Sequence, residues 1–132
     1  MARRILALLA LPVLAGLSAC QEDGEGIPVP SGRALSLIEV VTNAPGTEGA
    51  AARFRFLAPG LTPDEAEAAA VDMQALCDGY ALPRTEGMVP APRQIIISFS
   101  GKNLPFGQTA PDVVQFFESY AIGTGTCIWE QF

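Results

Sequence analysis

The segment TPDEAEAAAVDMQALCDG, residues 62–79, predicts the main helix of this protein. Thr62 is a good N-cap residue, the proline after it suits the first helical turn, and Glu65 can close a capping box with Thr62. Beyond this start, apolar residues recur at intervals of three and four, the spacing of one helix face. Gly79 stands where a C-terminal cap is expected, so the helix is predicted to end near Asp78.

Two strands are predicted before this helix. Residues 34–41 are rich in branched side chains, and residues 51–57 alternate arginine with phenylalanine. The Asn-Ala-Pro-Gly break at 43–46 between them favours a hairpin. In the second strand Phe54 and Phe56 share one face and two arginines share the other, so we expect one buried face and one solvated face.

Three more strands are predicted after the helix. Residues 82–92 contain three prolines and a glycine and are predicted to form a loop, whereas QIIISF at 94–99 is typical of a central strand buried on both faces. Residues 112–122 fit either a helix or a strand. We favour a hairpin with CIWEQF at 127–132, because that aromatic, branched segment needs a neighbour for its backbone. The order β-β-α-β-β-β predicts an α+β domain, with one main helix on a small antiparallel sheet of about five strands.

The first twenty residues have the anatomy of an export signal. Two arginines precede an apolar run at residues 5–17, and these 13 residues are too few to cross a bilayer as a helix. Leu17-Ser18-Ala19-Cys20 resembles the bacterial lipobox, in which the cysteine receives a diacylglycerol before cleavage. We therefore expect a lipoprotein signal peptide over residues 1–19 and a lipid on Cys20, which would attach the protein to a membrane without spanning it.

Residues 20–32 are expected to form the lipid anchor and a disordered tether, because residues 21–32 are polar and rich in glycine and proline. A single globular domain is then expected over residues 33–132. Gln21 follows the lipidated cysteine, at a position where enteric bacteria use aspartate to retain lipoproteins at the inner membrane. This residue favours a periplasm-facing location at the outer membrane over one at the inner membrane.

Composition and charge exclude several classes of function. The chain has 132 residues, with 8 basic and 14 acidic side chains and no histidine. Without imidazole there is no Ser-His-Asp triad, no Cys-His pair and no HExxH zinc site. A net charge of −6 also argues against binding the phosphate backbone of a nucleic acid. We expect no nucleic-acid partner, no metal and no cofactor.

Cys77 and Cys127 remain once Cys20 is assigned to the lipid. Thiols oxidise in the compartments that exported proteins reach, so we expect these two cysteines to form a disulfide that joins the helix to the last strand. Closing a loop of about 50 residues is worth about 4 kcal/mol in the loop-entropy model. A redox pair is disfavoured, because the two cysteines are far apart in sequence and neither lies in a CxxC motif.

Other candidate sites have simpler structural explanations, and no catalytic residue is assigned. Asp64, Glu65 and Glu67 could be metal ligands or an acid–base pair, but their place in the first helical turn is explained by capping and the helix dipole. Gly-Thr-Gly-Thr at 123–126 lacks the P-loop lysine and is predicted to be a turn. Six aromatic residues near the end of the chain could form an exposed stacking groove or the core, and we favour the core. They are Phe106, Phe116, Phe117, Tyr120, Trp129 and Phe132.

Five segments resemble a family of small uncharacterised exported proteins of alphaproteobacteria. They are MQALCDGYALP (73–83), QIIISFS (94–100), PFGQ (105–108), QFFESYAI (115–122) and CIWEQF (127–132). The resemblance covers most of the chain after the tether. It supports the domain boundary and both cysteines, and it implies no activity.

Three functions are therefore compatible with the sequence. The first, which we favour, is a non-enzymatic envelope lipoprotein whose domain binds or supports an envelope protein partner. The second is a lipoprotein inhibitor of a periplasmic or cell-wall hydrolase, because a small acidic domain with a disulfide suits basic enzymes. The third is a small hydrolase that uses carboxylates alone.

Overall fold

A computed structural model describes residues 26–46 and 49–131 of the chain. Within them, five strands form one sheet, a short extra strand pairs at one end, and a helical segment packs on the sheet. The strands are β1 (Ser36–Val41), β2 (Pro45–Gly46), β3 (Gly49–Leu57), β4 (Gln94–Ser100), β5 (Gln115–Ile122) and β6 (Cys127–Glu130). The helical segment comprises a 3₁₀ turn (Pro63–Glu65), helix α1 (Ala66–Leu76), a π-helical turn (Cys77–Ala81) and helix α2 (Leu82–Arg84). No helix in these described ranges combines the length and the apolar character needed to cross a bilayer.

The sheet is mixed, with strand order β1-β3-β4-β5-β6. Its neighbouring strands are antiparallel except for β3 and β4, which are parallel. The predicted α+β fold with one main helix on about five strands is confirmed, but a wholly antiparallel sheet is wrong. The reason is the connection between β3 and β4. The helical segment returns the chain to the end of the sheet where β3 began, which a parallel pair requires and a tight hairpin turn cannot provide.

Both predicted hairpins are present. β1 pairs with β3 and β5 pairs with β6, so the helical alternative for residues 112–122 is wrong over the length of β5. The sequence between β5 and β6 forms the predicted turn, in which the N–H of Gly123 donates to the carbonyl of Thr126 at 2.9 Å. Strand β4 lies at the centre of the sheet, and all of its residues are buried, as predicted.

The hydrophobic core lies between α1 and one face of the sheet, which we call the inner face. Phe54 and Phe56 are fully buried there, on the face that their alternation predicted. The ring of Tyr80 packs edge-on against Phe56, with 5.6 Å between the ring centroids. The other large buried side chains of this core are Met73, Leu76, Ile95, Ile97, Phe99 and Tyr120.

The helical segment begins with the predicted capping box at Thr62. The carboxylate of Glu65 accepts the N–H of Thr62 at 2.9 Å, and the Thr62 hydroxyl donates to the carboxylates of Asp64 and Glu65. These hydrogen bonds from the Thr62 side chain are the main cause that lowers the pKa of Asp64 and the pKa of Glu65 below their ordinary values. The two acids thus help to start the helix.

The lowered pKa values of Asp64 and Glu65 predict that the free energy of unfolding falls at acidic pH, and that this fall depends on the Thr62 side chain. A carboxylate with a lower pKa in the folded state stabilises the fold above its unfolded pKa, and this contribution is lost as the pH falls through the folded pKa. Thr62→Val should therefore reduce the loss of unfolding free energy between about pH 5 and pH 3, as measured by urea denaturation. Thr85→Val is the matched control, because the Thr85 hydroxyl donates to a carbonyl, that of Leu82. An equal change in both variants would contradict the prediction.

The helical segment does not end near Asp78, and Gly79 is not its C-terminal cap. The chain continues through the π-helical turn into α2, so the predicted loop begins later than residue 82. Proline is disfavoured in the interior of an α-helix because it lacks an N–H. Pro83 would therefore have ended a regular α-helix nearby. Here the π-helical turn changes the hydrogen-bond pattern just before the proline, and Pro83 falls in the first turn of α2.

Part of the predicted tether is ordered. Ile27 and Val29 pack against the core, and Ser31 donates to the carboxylate of Asp72 from both its N–H (2.9 Å) and its hydroxyl (2.5 Å). Disorder is therefore wrong for residues 26–32, because two apolar side chains and a buried carboxylate on α1 hold them. The expected signal peptide, the lipid site Cys20 and the tether residues 21–25 lie outside the described residues.

The predicted disulfide between Cys77 and Cys127 is confirmed. It joins the π-helical turn to the first residue of β6, which is an edge strand of the sheet. Two side chains of the helical segment also hold the backbone of Cys127: Asp78 accepts its N–H at 2.8 Å, and Gln74 donates to its carbonyl at 3.0 Å. The middle of the helical segment, around Cys77, is thus attached to the edge of the sheet by one covalent bond and two hydrogen bonds.

Candidate functional site

The outer face of the sheet, opposite α1, carries the candidate site. Strand alternation places Arg53 and Arg55 of β3 on this face, because Phe54 and Phe56 point into the core. The pairing register then puts Arg55, Ser98 and Phe117 in one row across three strands. The small Ser98 lies between the arginine and the phenylalanine, so the row forms a shallow trough.

A cavity of about 260 Å³, called the outer cavity here, lies over this trough. Arg53, Arg55 and Phe117 line it from the sheet, together with Ile96, Ser98 and Gln115. Residues 106–109, Phe-Gly-Gln-Thr, line it from the loop between β4 and β5. None of these described lining residues is acidic, although acids outnumber bases in the chain by 14 to 8. The outer cavity is therefore a basic and aromatic site in an acidic protein.

The loop between β4 and β5 is held over the sheet by hydrogen bonds. Arg55 donates through Nη2 to the carbonyl of Leu104 at 2.5 Å, and Gln115 donates through Nε2 to the carbonyl of Gln108 at 3.3 Å. Gly107 adopts a φ of +82°, which favours glycine and turns the loop back on itself. The wall of the outer cavity is thus fixed from β3 and from β5, the strands on either side of β4.

The two arginines of the outer cavity also contact an aromatic ring. The guanidinium carbons of Arg53 and Arg55 lie 5.9 Å and 5.7 Å from the centroid of the Phe106 ring, within cation–π distance.

Arg55 also donates to the carboxylate of Glu39 on β1. The predicted solvated face is therefore wrong for Arg55, which is only 8% exposed because the loop covers it. The alternation of arginine and phenylalanine identified the outer face, but it did not indicate that the loop between β4 and β5 covers Arg55.

The C-terminal aromatic residues divide between the core and the surface. The expectation that they form the core is confirmed for Tyr120, which is buried, and for Phe116, which packs against the core. It is wrong for Phe106, Phe117 and Trp129, which are 46%, 49% and 53% exposed. Phe132 lies outside the described residues. The signal that could have placed Phe117 is its position next to Phe116 in a strand, because neighbouring residues point to opposite faces.

A second groove lies between α1 and the edge strand β6. It has a volume of about 270 Å³, and Val71 and Trp129 stand exposed beside it. The indole N–H of Trp129 donates to the carboxylate of Glu118. Burial, with the nearby carboxylates of Glu118 and Asp78 adding to it, raises the pKa of the Tyr120 hydroxyl, so that group stays neutral in this groove.

The acids that the sequence singled out lie away from the outer cavity. Asp64 and Glu65 accept hydrogen bonds from Thr62, and Glu67 is exposed on the first turn of α1. In the part of the chain that the structure describes, no three residues of the His, Cys, Asp and Glu types are grouped as metal ligands would be.

Comparison with known proteins identifies a family for this chain. A family whose description is "Family of unknown function (DUF6497)" matches residues 10–132. No curated protein and no solved structure matches the chain. The match confirms the resemblance to a family without a known activity, and it contains nothing on export or on the source organism.

Proposed function

Because the chain belongs to this family of unknown function, DUF6497, which assigns it no activity, we propose its function from its own residues. We propose that it is a bacterial envelope lipoprotein, anchored through Cys20 and facing the periplasm, preferably at the outer membrane. Its domain is proposed to bind an envelope partner through the outer cavity and to catalyse no reaction.

The observation that supports a binding role most strongly is the outer cavity with its two half-exposed phenylalanines. Phe106 and Phe117 keep large apolar surfaces in water beside two arginines, in a wall that hydrogen bonds hold in place. Exposed apolar surface next to convergent polar groups is typical of a binding site rather than of a structural surface. Loops on a rigid scaffold are also where binding residues concentrate.

The proposed anchor is supported by the lipobox sequence and by the pairing of the other two cysteines. Cys77 and Cys127 are joined to each other, so Cys20 remains as the thiol for lipid attachment. A disulfide that links separate elements of a small domain is also typical of proteins in oxidising compartments. Both features favour export.

The absence of catalysis is proposed from the chemistry of the available side chains. The chain has no histidine, and both cysteines of the domain are in the disulfide. Three prominent carboxylates have structural partners: Asp72 holds Ser31, Asp78 holds Cys127, and Glu39 holds Arg55. This arrangement favours a binding domain over the carboxylate-only hydrolase.

Mass spectrometry of the mature N-terminus tests the proposed anchor. We expect the protein purified from its native membranes to begin at Cys20 and to carry the added mass of a diacylglycerol. Cys20→Ser should abolish that mass and leave residues 1–19 uncleaved, because the lipid is added before the signal peptide is removed. A mature protein with an unmodified Cys20 would overturn the proposal.

Photocrosslinking from the outer cavity tests the proposed binding role. A photoreactive phenylalanine analogue in place of Phe117, in the full chain, should crosslink to one discrete envelope partner, and Arg53→Gln should reduce that crosslink at least fivefold. The same analogue in place of Val71, which is exposed on α1, is the matched control. Equal crosslinking from both positions would contradict the binding role. A captured cell-wall hydrolase that loses activity on binding would instead support the inhibitor hypothesis.

A further inference from the structure

The charge of the outer cavity indicates an anionic ligand. Two guanidinium groups lie side by side there, and no acidic residue is among its described lining. Guanidinium groups match carboxylate oxygens in geometry and bind them through charge-assisted hydrogen bonds. Glu39 forms an ion pair with Arg55 from β1, which orients that side chain and offsets part of its charge, but Glu39 does not line the outer cavity.

The apolar lining of the outer cavity indicates that the anion carries a flat apolar group. Phe117 stands two strands away from Arg55, and Ile96 lies between β3 and β5 on the floor. Two strand spacings amount to about 10 Å, so a ligand with its anionic end at the arginines can place an aromatic ring against Phe117. The volume of about 260 Å³ lies just below the usual range for drug-sized ligands, which favours a small molecule or a single terminal group.

The site is also formed before a ligand arrives. The hydrogen bonds from Arg55 to Leu104 and from Gln115 to Gln108 fix the loop, and Phe106 rests on both guanidinium groups. A preformed wall does not have to be ordered on binding, so less of the interaction free energy is lost to conformational entropy.

We infer that the outer cavity binds an aryl carboxylate, an acid in which a carboxylate is joined through a short linker to an aromatic ring. This inference rests on the proposed binding role of the outer cavity and names its ligand chemistry. The carboxylate contacts Arg53 and Arg55, and the ring packs on Phe117. The same chemistry occurs in a free aromatic acid and in the C-terminal phenylalanine of a peptide.

Isothermal titration calorimetry on the full-length protein tests this chemistry. 3-Phenylpropanoate should bind at least tenfold more tightly than the neutral 3-phenylpropanamide, because only the acid can pair with the guanidinium groups. The peptide Ala-Ala-Phe with a free carboxylate, compared with its C-terminal amide, separates the two sources. If the peptide acid binds more tightly, the ligand is the C-terminus of a peptide chain. If 3-phenylpropanoate binds more tightly, the ligand is a free aromatic acid.

Variants locate the binding within the molecule. Arg53→Gln and Phe117→Ser should each weaken binding of 3-phenylpropanoate at least tenfold. Arg84→Gln and Trp129→Ser are the matched controls and should leave it within twofold. Arg84 lies on the Tyr80 ring, and Trp129 is about as exposed as Phe117 but stands beside the second groove. If Arg53→Gln fails to fold, Phe117→Ser decides the question.

Equal affinity for the acid and the amide would overturn the inference. No binding of either carboxylate at ligand concentrations up to about 10 mM would also overturn it. So would a loss of affinity in the control variants equal to that in Arg53→Gln and Phe117→Ser. These results are distinguishable from a failure of the binding role. If crosslinking from position 117 still captures one partner, only the ligand class is wrong. If that crosslink is also absent, the binding role itself is wrong.

Discussion

Replacing both Cys77 and Cys127 with alanine is expected to lower the free energy of unfolding by about 4 kcal/mol. The disulfide closes a loop that contains β4, β5 and the loop over the outer cavity, with a sequence separation of 50 residues. Without it, the unfolded chain gains the entropy of that loop. A domain of this size has a total stability of about 5–15 kcal/mol, so the variant should be markedly less stable.

Urea denaturation of the oxidised protein and of the double variant measures this effect. The wild-type protein with its disulfide reduced is the matched control and should give the same free energy of unfolding as the variant. The circular dichroism of the folded state should not change, because Asp78 and Gln74 still hold the backbone of Cys127. A difference below about 1 kcal/mol would contradict the expected effect of loop closure.

Asp72→Ala is expected to destabilise the domain by about 3 kcal/mol, because it breaks a buried ionic cluster. Asp72 is fully buried on α1 and accepts hydrogen bonds from Ser31 and from Arg33, whose Nε lies 2.7 Å from the carboxylate. Removing the carboxylate leaves Arg33 without this partner and Ser31 without its two hydrogen bonds to α1. The residues before β1 should detach first, because this cluster holds them on the helix.

Hydrogen exchange separates this local effect from general unfolding. In Asp72→Ala the amide of Ser31 should lose its protection, whereas the amides of β4 should keep theirs under native conditions. Glu65→Gln is the matched control. Glu65 also binds Arg33, at 3.1 Å, but it is more exposed, so we expect a smaller loss of stability than in Asp72→Ala. Unchanged protection at Ser31 in Asp72→Ala would show that the apolar contacts of Ile27 and Val29 are sufficient.

Local patterns in the sequence were sufficient to predict most of the elements. The alternation of Phe54 and Phe56 with the arginines identified β3 and its buried face, and the apolar 94–99 run identified the central strand. Thr62 marked the start of the helical segment. Each of these signals comes from residues within a few positions of one another, where period and capping chemistry decide the structure.

Contacts between distant residues could not be predicted in the same way. Asp72 and Ser31 are separated by 41 positions, so nothing near residue 31 indicated that the tether would be ordered. Gly79 looked like a cap because the sequence does not show a π-helical turn. The parallel pairing of β3 with β4 likewise depends on the path of the whole helical segment rather than on either strand.

The candidate site was predictable only in part. Alternation placed Arg53 and Arg55 together on one face, and the concentration of aromatic residues near the end of the chain included Phe106 and Phe117. The outer cavity exists because the loop between β4 and β5 folds back over the sheet. One of the hydrogen bonds that attach this loop runs from Arg55 to the carbonyl of Leu104, 49 positions away, and no local pattern reveals it.

If Cys20 carries the proposed lipid, the ordered residues before β1 also limit how far the domain can stand from the bilayer. With a lipid on Cys20, five residues, 21–25, connect it to the part of the chain held on α1. Five residues reach at most about 17 Å, whereas a free chain of twelve would reach about 40 Å. With the proposed anchor on Cys20, the domain would therefore stay close to the headgroups. A ligand of the proposed outer-cavity site would then have to reach the membrane surface.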